Sequence, residues 1–325
     1  MLTFEALSKT FSEFIGTYSF PSEPKQLYDP VRYIMSLGGK RIRPLLALAA
    51  YNIYHDNVEK ANHAAMTVEV FHNFSLLHDD IMDNAFKRRG KDAVHIKYDE
   101  NSAILSGDVM MIWSYKLLED YTANIVDIYK VFTKTSIEVC EGQRMDMDFE
   151  TREEVSILEY IEMITLKTSV LLGAALKMGA LVADASKQDQ SHLYEFGKNV
   201  GIAFQIQDDV LDTYGDEATF GKRIGGDILQ KKKTFLYLKS LELLSESQVE
   251  RLKSLFALDY TIVNEATHIE EVRNLYNKAF VNVHADETKL VYQQLAFSHL
   301  DAISVNKEKT EILRSFAEKL LNRKV

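Results

Sequence analysis

The chain has 325 residues, of which 46% are hydrophobic and 26% are charged, and its formal net charge is −10 at pH 7. This composition is typical of a globular protein with a large core and excludes a disordered chain. The acidic balance argues against nucleic acid as a partner, because binding a phosphate backbone requires a basic surface.

Cysteine content and apolar runs bear on the compartment. The single cysteine, Cys140, excludes an internal disulfide and fits a reducing compartment. The N-terminal residues lack the basic and apolar regions of a secretory signal, and no run of about 18 apolar residues predicts a membrane span. We therefore expect a cytoplasmic protein without an integral membrane segment.

Apolar residues recur at helical spacing along the chain, and no stretch shows the alternation of a strand. All four prolines precede residue 45, which favours uninterrupted helices after it. The pattern predicts helices over 2–15, 23–37, 45–54, 58–83, 101–120, 122–149, 153–183 and 187–214, and further helical structure over 235–321. Because no linker divides these helices, the sequence predicts one all-α domain over 1–325.

Two clusters of aspartates interrupt apolar helices. The sequence DDIMD occupies 79–83 and DDVLD occupies 208–212, with carboxylates at the first, second and fifth positions of each. Residues four apart share one helix face, where like charges repel unless a cation neutralises them. Mg²⁺ is the expected ion, because it binds one or two carboxylates together with phosphate oxygens. The two clusters predict facing helices with a metal-bridged diphosphate between them.

Basic segments accompany the acidic clusters. Residues 38–44 read GGKRIRP at a predicted helix start, where cations and backbone N–H groups can cradle a phosphate. Arg88 and Arg89 follow the first acidic cluster, and guanidinium groups suit bidentate phosphate contact. The second cluster is followed by GKRIGGD at 221–227 and KKKT at 231–234, which predict a mobile lid. Each basic segment taken alone also fits an ordinary solvated turn.

Together the motifs resemble the trans-isoprenyl diphosphate synthase (polyprenyl synthetase) family of the short-chain type. The match includes EGQRMD at 141–146, KT at 167–168 and FQIQDDVLD at 204–212, and it extends over most of the chain. The resemblance implies an all-α isoprenoid synthase fold in which helices surround a deep central cavity, usually in a homodimer. It also implies condensation of isopentenyl diphosphate with dimethylallyl, geranyl or farnesyl diphosphate.

The roles of the family's residues transfer to the matching positions. The residues implied in binding Mg²⁺, three ions with substrate bound, are Asp79, Asp83 and Asp208, supported by Asp80, Asp209 and Asp212. Those implied in binding the allylic diphosphate are Arg88, Lys167, Lys222 and Lys232. Those implied in binding isopentenyl diphosphate are Lys40, Arg43, His72 and Arg89. Thr168 and Gln205 would face the developing carbocation, with Gln143 and Asp146 as support. One departure is Asp92-Ala93, where many family members have Pro-Thr, so the shape of that loop stays open.

The implied reaction begins with ionisation of the allylic C–O bond, continues with attack by the isopentenyl double bond and ends with loss of a proton. In this family, product length is thought to depend on side-chain bulk before the first acidic cluster. Phe71, Phe74 and Ser75 share a helix face with that cluster. An aromatic residue beside a small one predicts C20 geranylgeranyl diphosphate, followed by C15 farnesyl diphosphate. The alternative is that both phenylalanines only fill the core.

Two other functions compete with this interpretation. A class I terpene cyclase also uses an aspartate-rich motif and Mg²⁺, but its second motif is normally of a different type and it needs no isopentenyl site. A noncatalytic subunit of a prenyl synthase tends to lose motif aspartates, and all six are present in this chain.

Overall fold

A computed structural model of the chain describes residues 1–215, 224–258 and 264–322. One predicted site residue, Lys222, lies outside the described residues. The first α-helices are α1 Phe4–Thr17, α2 Lys25–Ser36, α3 Ile42–Asn52, α4 Asn62–Met82, α5 Val94–Lys97, α6 Glu100–Lys116, α7 Ile125–Thr151, α8 Ile157–Ile164, α9 Val170–Val182 and α10 Lys187–Tyr214. Beyond residue 224 follow α11 Gly226–Leu229, α12 Phe235–Leu243, α13 Glu246–Ala257, α14 Glu265–Lys278, α15 Val281–Asp301 and α16 Lys307–Leu321.

The all-α prediction is confirmed, with two local differences. The helix predicted over 153–183 is continuous from α8 to α9, but a π-helical turn, Thr165–Ser169, joins the two. The expectation of no strands is wrong at one place, where β1 Lys87–Arg88 pairs antiparallel with β2 Lys91–Asp92. Arg89 and Gly90 form the turn with positive φ angles of 53° and 75°, as two-residue hairpin turns require. Strands of two residues are too short for alternation to reveal them.

The chain folds into two compact units, both discontinuous in sequence. Unit one consists of residues 1–134, 174–194 and 303–313, and unit two consists of the described residues of 135–173, 195–302 and 314–325. The expectation of a single domain over 1–325 stays a prediction.

In unit one, α4 is the central helix and packs against α3 and α6. Ala64, Ala65 and Met66, which point to different sides of α4, are all fully buried. A helix that is apolar on all sides belongs in a core, which explains why its few polar residues are buried as well. Two of these buried polar residues are Glu69 and Asp80, and both lie in the candidate site.

In unit two, the hydrophobic core joins α8, α10 and α12 to the helices that follow them. Ile206 of α10, Leu236 of α12 and Val272 of α14 lie in one cluster of buried side chains. This core fixes the half of α10 that carries the second acidic cluster. It also fixes the start of α12, which directly follows the KKKT segment.

Among the described residues, one helical stretch, Ile157–Val182, is long and apolar enough to cross a bilayer by length and composition alone. The 18-residue window that meets this criterion has a mean hydropathy of 1.3, and 72% of it is buried inside the protein. Such burial is what a core helix of a folded protein shows, because its apolar side chains are covered by protein rather than lipid.

Candidate functional site

The first acidic cluster occupies the last turn of α4 in unit one, and Asp83 is the residue that ends the helix. The hairpin β1–β2 then brings Arg88 back to the cluster. The Nε atom of Arg88 donates to both carboxylate oxygens of Asp80, at 3.0 and 3.1 Å. Its Nη2 atom lies 3.5 Å from Oδ2 of Asp79. The guanidinium group of Arg88 is thus held by two of the three aspartates in the motif.

The pair formed by Asp80 and Arg88 opposes the cost of burying their charges. Asp80 is only 1% exposed, and burial raises the pKa of its carboxyl group although the hydrogen bond from Arg88 opposes this shift. Burial alone would lower the pKa of Arg88, but the hydrogen bond and charge of Asp80, with Asp79 and Asp83, outweigh it and raise that pKa. Removing Arg88 would leave the carboxylate of Asp80 buried without its charged partner, which is strongly destabilising.

The predicted isopentenyl diphosphate residues line one pocket in unit one, between the start of α3 and the middle of α4. The residues lining this pocket are Gly39, Lys40, Arg41, Ile42, Arg43, Glu69, His72 and Arg89. All four predicted residues are among them, so the structure brings together side chains that lie up to 49 positions apart in sequence. Four of the lining residues are cationic, which suits an anionic ligand.

A hydrogen bond between Arg43 and His72 fixes the protonation of the imidazole. The Nη1 atom of Arg43 lies 3.1 Å from Nε2 of His72. Because a guanidinium group can only donate, Nε2 must be the unprotonated, accepting nitrogen. Burial, with the charges of Arg43 and Arg89, lowers the pKa of His72 well below 6.5. Burial also lowers the pKa of Arg43 to about 10.

The sequence interpretation missed one carboxylate in this pocket, Glu69. It is 3% exposed, and its Oε1 accepts a hydrogen bond of 3.1 Å from Asn73 and lies 3.9 Å from Nε of Arg41. Burial raises the pKa of Glu69, while Asn73 and the nearby arginines oppose the shift. A charged residue inside the apolar run 68–71 was the signal that could have identified it.

Two glycines allow Arg89 to enter the pocket. Gly38 and Gly39 have φ angles of 74° and 122°, and a Cβ atom on Gly39 would lie 2.8 Å from Cζ of Arg89. Arg89 donates a hydrogen bond to the carbonyl oxygen of Gly38. The glycine pair is therefore required both for the left-handed backbone and for the space that the guanidinium group occupies.

A second pocket lies entirely within unit two and gathers every described residue of that unit that was predicted to bind metal or diphosphate. The predicted residues that line it are Asp146, Lys167, Thr168, Gln205, Asp208, Asp209, Asp212 and Lys232. The further residues that line it are Phe149, Glu150, Tyr160, Met163, Ile164, Asp227, Lys231, Lys233 and Thr234. Carboxylates and lysines are thus mixed on the wall of one pocket.

Close packing of α7 against the π-helical turn places Lys167 in this pocket. A Cβ atom on Gly142 of α7 would lie 2.2 Å from the backbone nitrogen of Lys167, so only glycine permits this approach. The ammonium group of Lys167 lies 2.6 Å from Oδ2 of Asp146, one helical turn further along α7. The π-helical turn therefore places Lys167 and Thr168, the predicted KT motif, on the wall of the pocket.

Two aspartates of the second acidic cluster accept hydrogen bonds within unit two. Oδ2 of Asp209 accepts from the hydroxyl of Tyr160 at 2.6 Å and from the backbone N–H of Phe235 at 3.0 Å. Oδ2 of Asp212 accepts from the backbone N–H of Asp227 at 2.9 Å. Burial and the charge of Asp227 hold the pKa of Asp209 well above its usual value, although the two hydrogen bonds oppose them.

The pocket of unit two suits a divalent cation that keeps part of its hydration shell, rather than one enclosed entirely by protein ligands. In the described parts of the chain, no group of three or more His, Cys, Asp or Glu side chains is arranged to hold a metal ion. Mg²⁺ does not need such a cage, because it keeps several waters and uses one or two carboxylates plus substrate phosphates. The carboxylate oxygens of Asp208, Asp212 and Asp227 on the pocket wall suit that mode of binding.

The predicted chain-length residues form an aromatic cluster on α4. The ring centroids of Phe71 and Phe74 are 5.5 Å apart, and Phe74 is 4.8 Å from the ring of His78. Phe71 also packs edge-on against Phe132 at 5.4 Å. The Oγ atom of Ser75 donates to the carbonyl oxygen of His72. The core interpretation of Phe71 therefore holds for its packing, and the effect of either ring on product length stays a prediction.

Asp79 belongs to unit one and Asp208 to unit two. The expectation that the two acidic clusters face each other stays a prediction, as do the individual roles of the site residues.

Comparisons with known proteins give a consistent result. Residues 24–278 of the chain match the Polyprenyl synthetase family. A geranylgeranyl diphosphate synthase from Methanosarcina mazei is 39% identical over 304 residues, covering 92% of this chain and 88% of that protein. Another from Saccharolobus solfataricus is 35% identical over 333 residues, covering 98% of each. A crystal structure of geranylgeranyl pyrophosphate synthase has a TM-score of 0.94 and 45% identity, with all of both chains covered.

Proposed function

The chain belongs to the polyprenyl synthetase family, and from this membership we propose that it is a trans-prenyltransferase that makes C20 geranylgeranyl diphosphate. The observation that carries the proposal is the pocket of unit two, where aspartates and lysines line the same wall. Carboxylates alone would suit a metal and lysines alone a phosphate. Their mixture suits a diphosphate that binds through both metal ions and cations.

Metal binding is assigned to Asp79 and Asp83 of unit one and to Asp208 of unit two, with Mg²⁺ as the ion and three ions bound together with substrate. When bound, Mg²⁺ supplies Lewis-acid stabilisation of the negative charge on a diphosphate leaving group. The donor set supports this assignment, because carboxylate oxygens are the ligands that Mg²⁺ prefers.

Cationic side chains of the protein would neutralise the remaining negative charge of the first substrate, the allylic diphosphate. Lys167 and Lys232 on the wall of the second pocket would neutralise its charge, as would Arg88, which Asp80 already orients. Charges held in place before the reaction cost no reorganisation as the C–O bond breaks. Thr168 and Gln205, on the same wall, would present their oxygen atoms to the allylic cation.

The second substrate, isopentenyl diphosphate, is assigned to the pocket of unit one. Lys40, Arg43 and Arg89 supply positive charge there, and His72 holds Arg43 through its accepting nitrogen. After the double bond attacks the allylic cation, a proton must leave the adduct. The proposed acceptor is the diphosphate released in the first step, so no base from the protein is needed.

Two observations support the proposed C20 product, namely the names of the similar proteins and the aromatic side chains of α4. The relatives with the similarities given above are named geranylgeranyl synthases. Phe74, five residues before Asp79, would limit the growing chain, with Phe71 packed behind it. A terpene cyclase is not favoured, since a pocket of the type found around Arg43 has no use in a reaction without isopentenyl diphosphate.

We also propose a cytoplasmic homodimer. Leu105 and Ile112 lie seven positions apart on α6, and hence on one face, and they are 58% and 67% exposed. Large apolar side chains exposed along a helix face support a protein partner for that face. The single cysteine supports a reducing compartment. Sedimentation or light scattering of the purified protein would test the dimer.

The reaction is tested with purified protein, Mg²⁺, isopentenyl diphosphate and the C5, C10 or C15 allylic diphosphate, with products identified by mass. We expect isopentenyl diphosphate to be consumed and a C20 diphosphate to accumulate from each primer. Chelation with EDTA and the variant Asp208→Asn should both suppress turnover. Formation of hydrocarbon from an allylic diphosphate alone would select the cyclase, and no turnover of any substrate would select the noncatalytic subunit.

A further inference from the structure

The second aspartate of the second acidic cluster, Asp209, is engaged by two donors from different elements. The hydroxyl of Tyr160, on α8, and the backbone N–H of Phe235, the first residue of α12, both donate to its Oδ2. Tyr160 and Asp209 are 2% and 8% exposed. One carboxylate oxygen of Asp209, on α10, thus accepts hydrogen bonds from both α8 and the first residue of α12 in unit two.

The N–H of Phe235 is an end group that has no partner within its own helix. A negative charge placed there is favourable because the helix dipole is positive at this end. Asp209 therefore caps α12, and the cap lies two residues after Lys233 and three after Lys232. Any movement of Phe235 away from Asp209 would therefore also move Lys232 and Lys233.

Asp212, one turn further along α10, holds the other end of the same segment. Its Oδ2 accepts from the N–H of Asp227, inside α11, and its carbonyl oxygen accepts from the N–H of Gly225 at 2.6 Å. The described part of the segment that carries the lysines, residues 224–234, is termed the lysine segment. It is attached to α10 at both ends through motif aspartates.

We propose that Asp209 is a positioning residue that, with Tyr160, fixes the lysine segment on α10, and that it is not a metal ligand. This inference rests on the proposed function, because it concerns how the lysines meet a diphosphate. Mg²⁺ keeps several waters when it binds protein. An almost buried carboxylate with one oxygen doubly hydrogen-bonded leaves little room for a hydrated ion.

In the first acidic cluster, too, the second aspartate is buried and hydrogen-bonded rather than open to a metal ion. Asp80 is again the second aspartate of its motif, it is buried, and its carboxylate is engaged by Arg88. In both motifs, therefore, the second aspartate holds an element that carries cations. The aspartates assigned to the proposed metal chemistry are the first of each motif, Asp79 and Asp208, together with Asp83.

The first test measures amide hydrogen exchange of the lysine segment without metal or substrate, in Tyr160→Phe and in Tyr237→Phe. Tyr237 is the matched control, because it is also buried in unit two and its ring packs on Phe256. We expect exchange in 225–235 to become about tenfold faster in Tyr160→Phe, since local opening would be easier. The control should exchange at the wild-type rate. Equal exchange in all three proteins would overturn the inference, whether or not the protein is a prenyl synthase.

The second test compares Asp209→Asn with Asp208→Asn in their dependence on Mg²⁺. Asparagine keeps an oxygen that can accept from Tyr160 and Phe235, but it removes the charge that a metal ligand supplies. We expect the half-saturating Mg²⁺ concentration to stay within about twofold of wild type in Asp209→Asn and to rise about tenfold or more in Asp208→Asn.

Binding of Mn²⁺ in the presence of inorganic pyrophosphate, followed by electron paramagnetic resonance, gives the same comparison without turnover. If Asp209→Asn weakens metal binding as much as Asp208→Asn does, Asp209 is a metal ligand and the inference is wrong. Circular dichroism melting of each variant establishes that it is folded before either comparison. Should Tyr160→Phe fail to fold, Asp209→Asn alone decides between the two roles.

Discussion

The ammonium group of Lys233 lies 2.5 Å from the carbonyl oxygen of Phe149, near the C-terminal end of α7. It also donates to the carbonyl oxygen of Arg152, just beyond that helix. Carbonyl groups at a helix end lack partners within the helix and attract cations. Burial and the charge of Arg152 lower the pKa of Lys233. Consecutive lysines that look equivalent in sequence therefore differ in their contacts.

This difference predicts separate effects for Lys232→Met and Lys233→Met. Loss of Lys233 should remove charged hydrogen bonds of about 1.5 kcal/mol or more and lower the melting temperature by roughly 3–6 °C. Loss of Lys232 should leave the melting temperature unchanged but raise KM for the allylic diphosphate about tenfold, equivalent to about 1.4 kcal/mol. Calorimetry and steady-state kinetics measure the two effects. A melting temperature lowered only in Lys232→Met would reverse the assignment.

The size of Phe74 predicts a change of product. Phe74→Ala would remove a ring that contacts both Phe71 and His78, and the freed volume lies five residues before Asp79. We expect products longer than C20, with Phe71 limiting the gain, as separated by chain length and mass. Truncation of a buried phenylalanine costs about 3–5 kcal/mol, so the assay must be run well below the melting temperature of the variant.

Phe11→Ala is the control for this experiment, because Phe11 is fully buried in α1 of the same unit. It should lose stability without any change in product. Unchanged product length in Phe74→Ala would leave Phe74 as a core residue without a role in product length.

The sequence predicted those features that repeat with the period of a helix. The helix predicted over 187–214 coincides with α10, because apolar periodicity continues to its last turn. The motif aspartates of the second pocket were found in the same way, since charged side chains in apolar runs are rare. The residues missed were those whose role depends on partners distant in sequence. Tyr160 is one, because nothing in its local sequence indicates a carboxylate 49 positions away.

The π-helical turn was missed for a related reason. Apolar residues recur at helical spacing through 153–183, so the sequence predicts a helix but not a change in its hydrogen-bond pattern. The turn forms where α7 approaches at Gly142, which is a tertiary contact. The helix over 153–183 could therefore be predicted from the sequence. The placement of Lys167 in the pocket could not.

Gly142→Ala is predicted to damage both stability and substrate binding. The added methyl group would meet the backbone of Lys167, which cannot turn aside as a flexible side chain could. Overpacking of this kind costs about 1–3 kcal/mol and exceeds the gain of about 1 kcal/mol in helix propensity. We expect a lower melting temperature and weaker binding of inorganic pyrophosphate by calorimetry. Gly16→Ala in α1, with open space around its Cβ position, should be neutral or stabilising. Equal effects of the two substitutions would contradict the contact.

The neutral imidazole of His72 predicts that stability falls in acid. Its pKa is held well below 6.5 in the folded protein, chiefly by burial and then by Arg43 and Arg89. The unfolded chain therefore takes up a proton below pH 6.5 that the folded protein does not. The stability that this group contributes is fully present above pH 6.5 and is lost as the pH falls below 6.5 toward the folded pKa.

Urea unfolding of wild type and His72→Gln at pH 7.5 and 5.5 tests this effect. Glutamine can accept from Arg43 but does not titrate, so the variant should lose less stability between the two pH values, by at most about 1.4 kcal/mol. His284→Gln, which replaces a partly exposed imidazole on α15, should show the wild-type dependence. An identical acid loss in wild type and His72→Gln would mean that His72 accepts its proton in the folded protein. The hydrogen bond from Arg43 could then not be formed as described, because a protonated imidazole offers no acceptor.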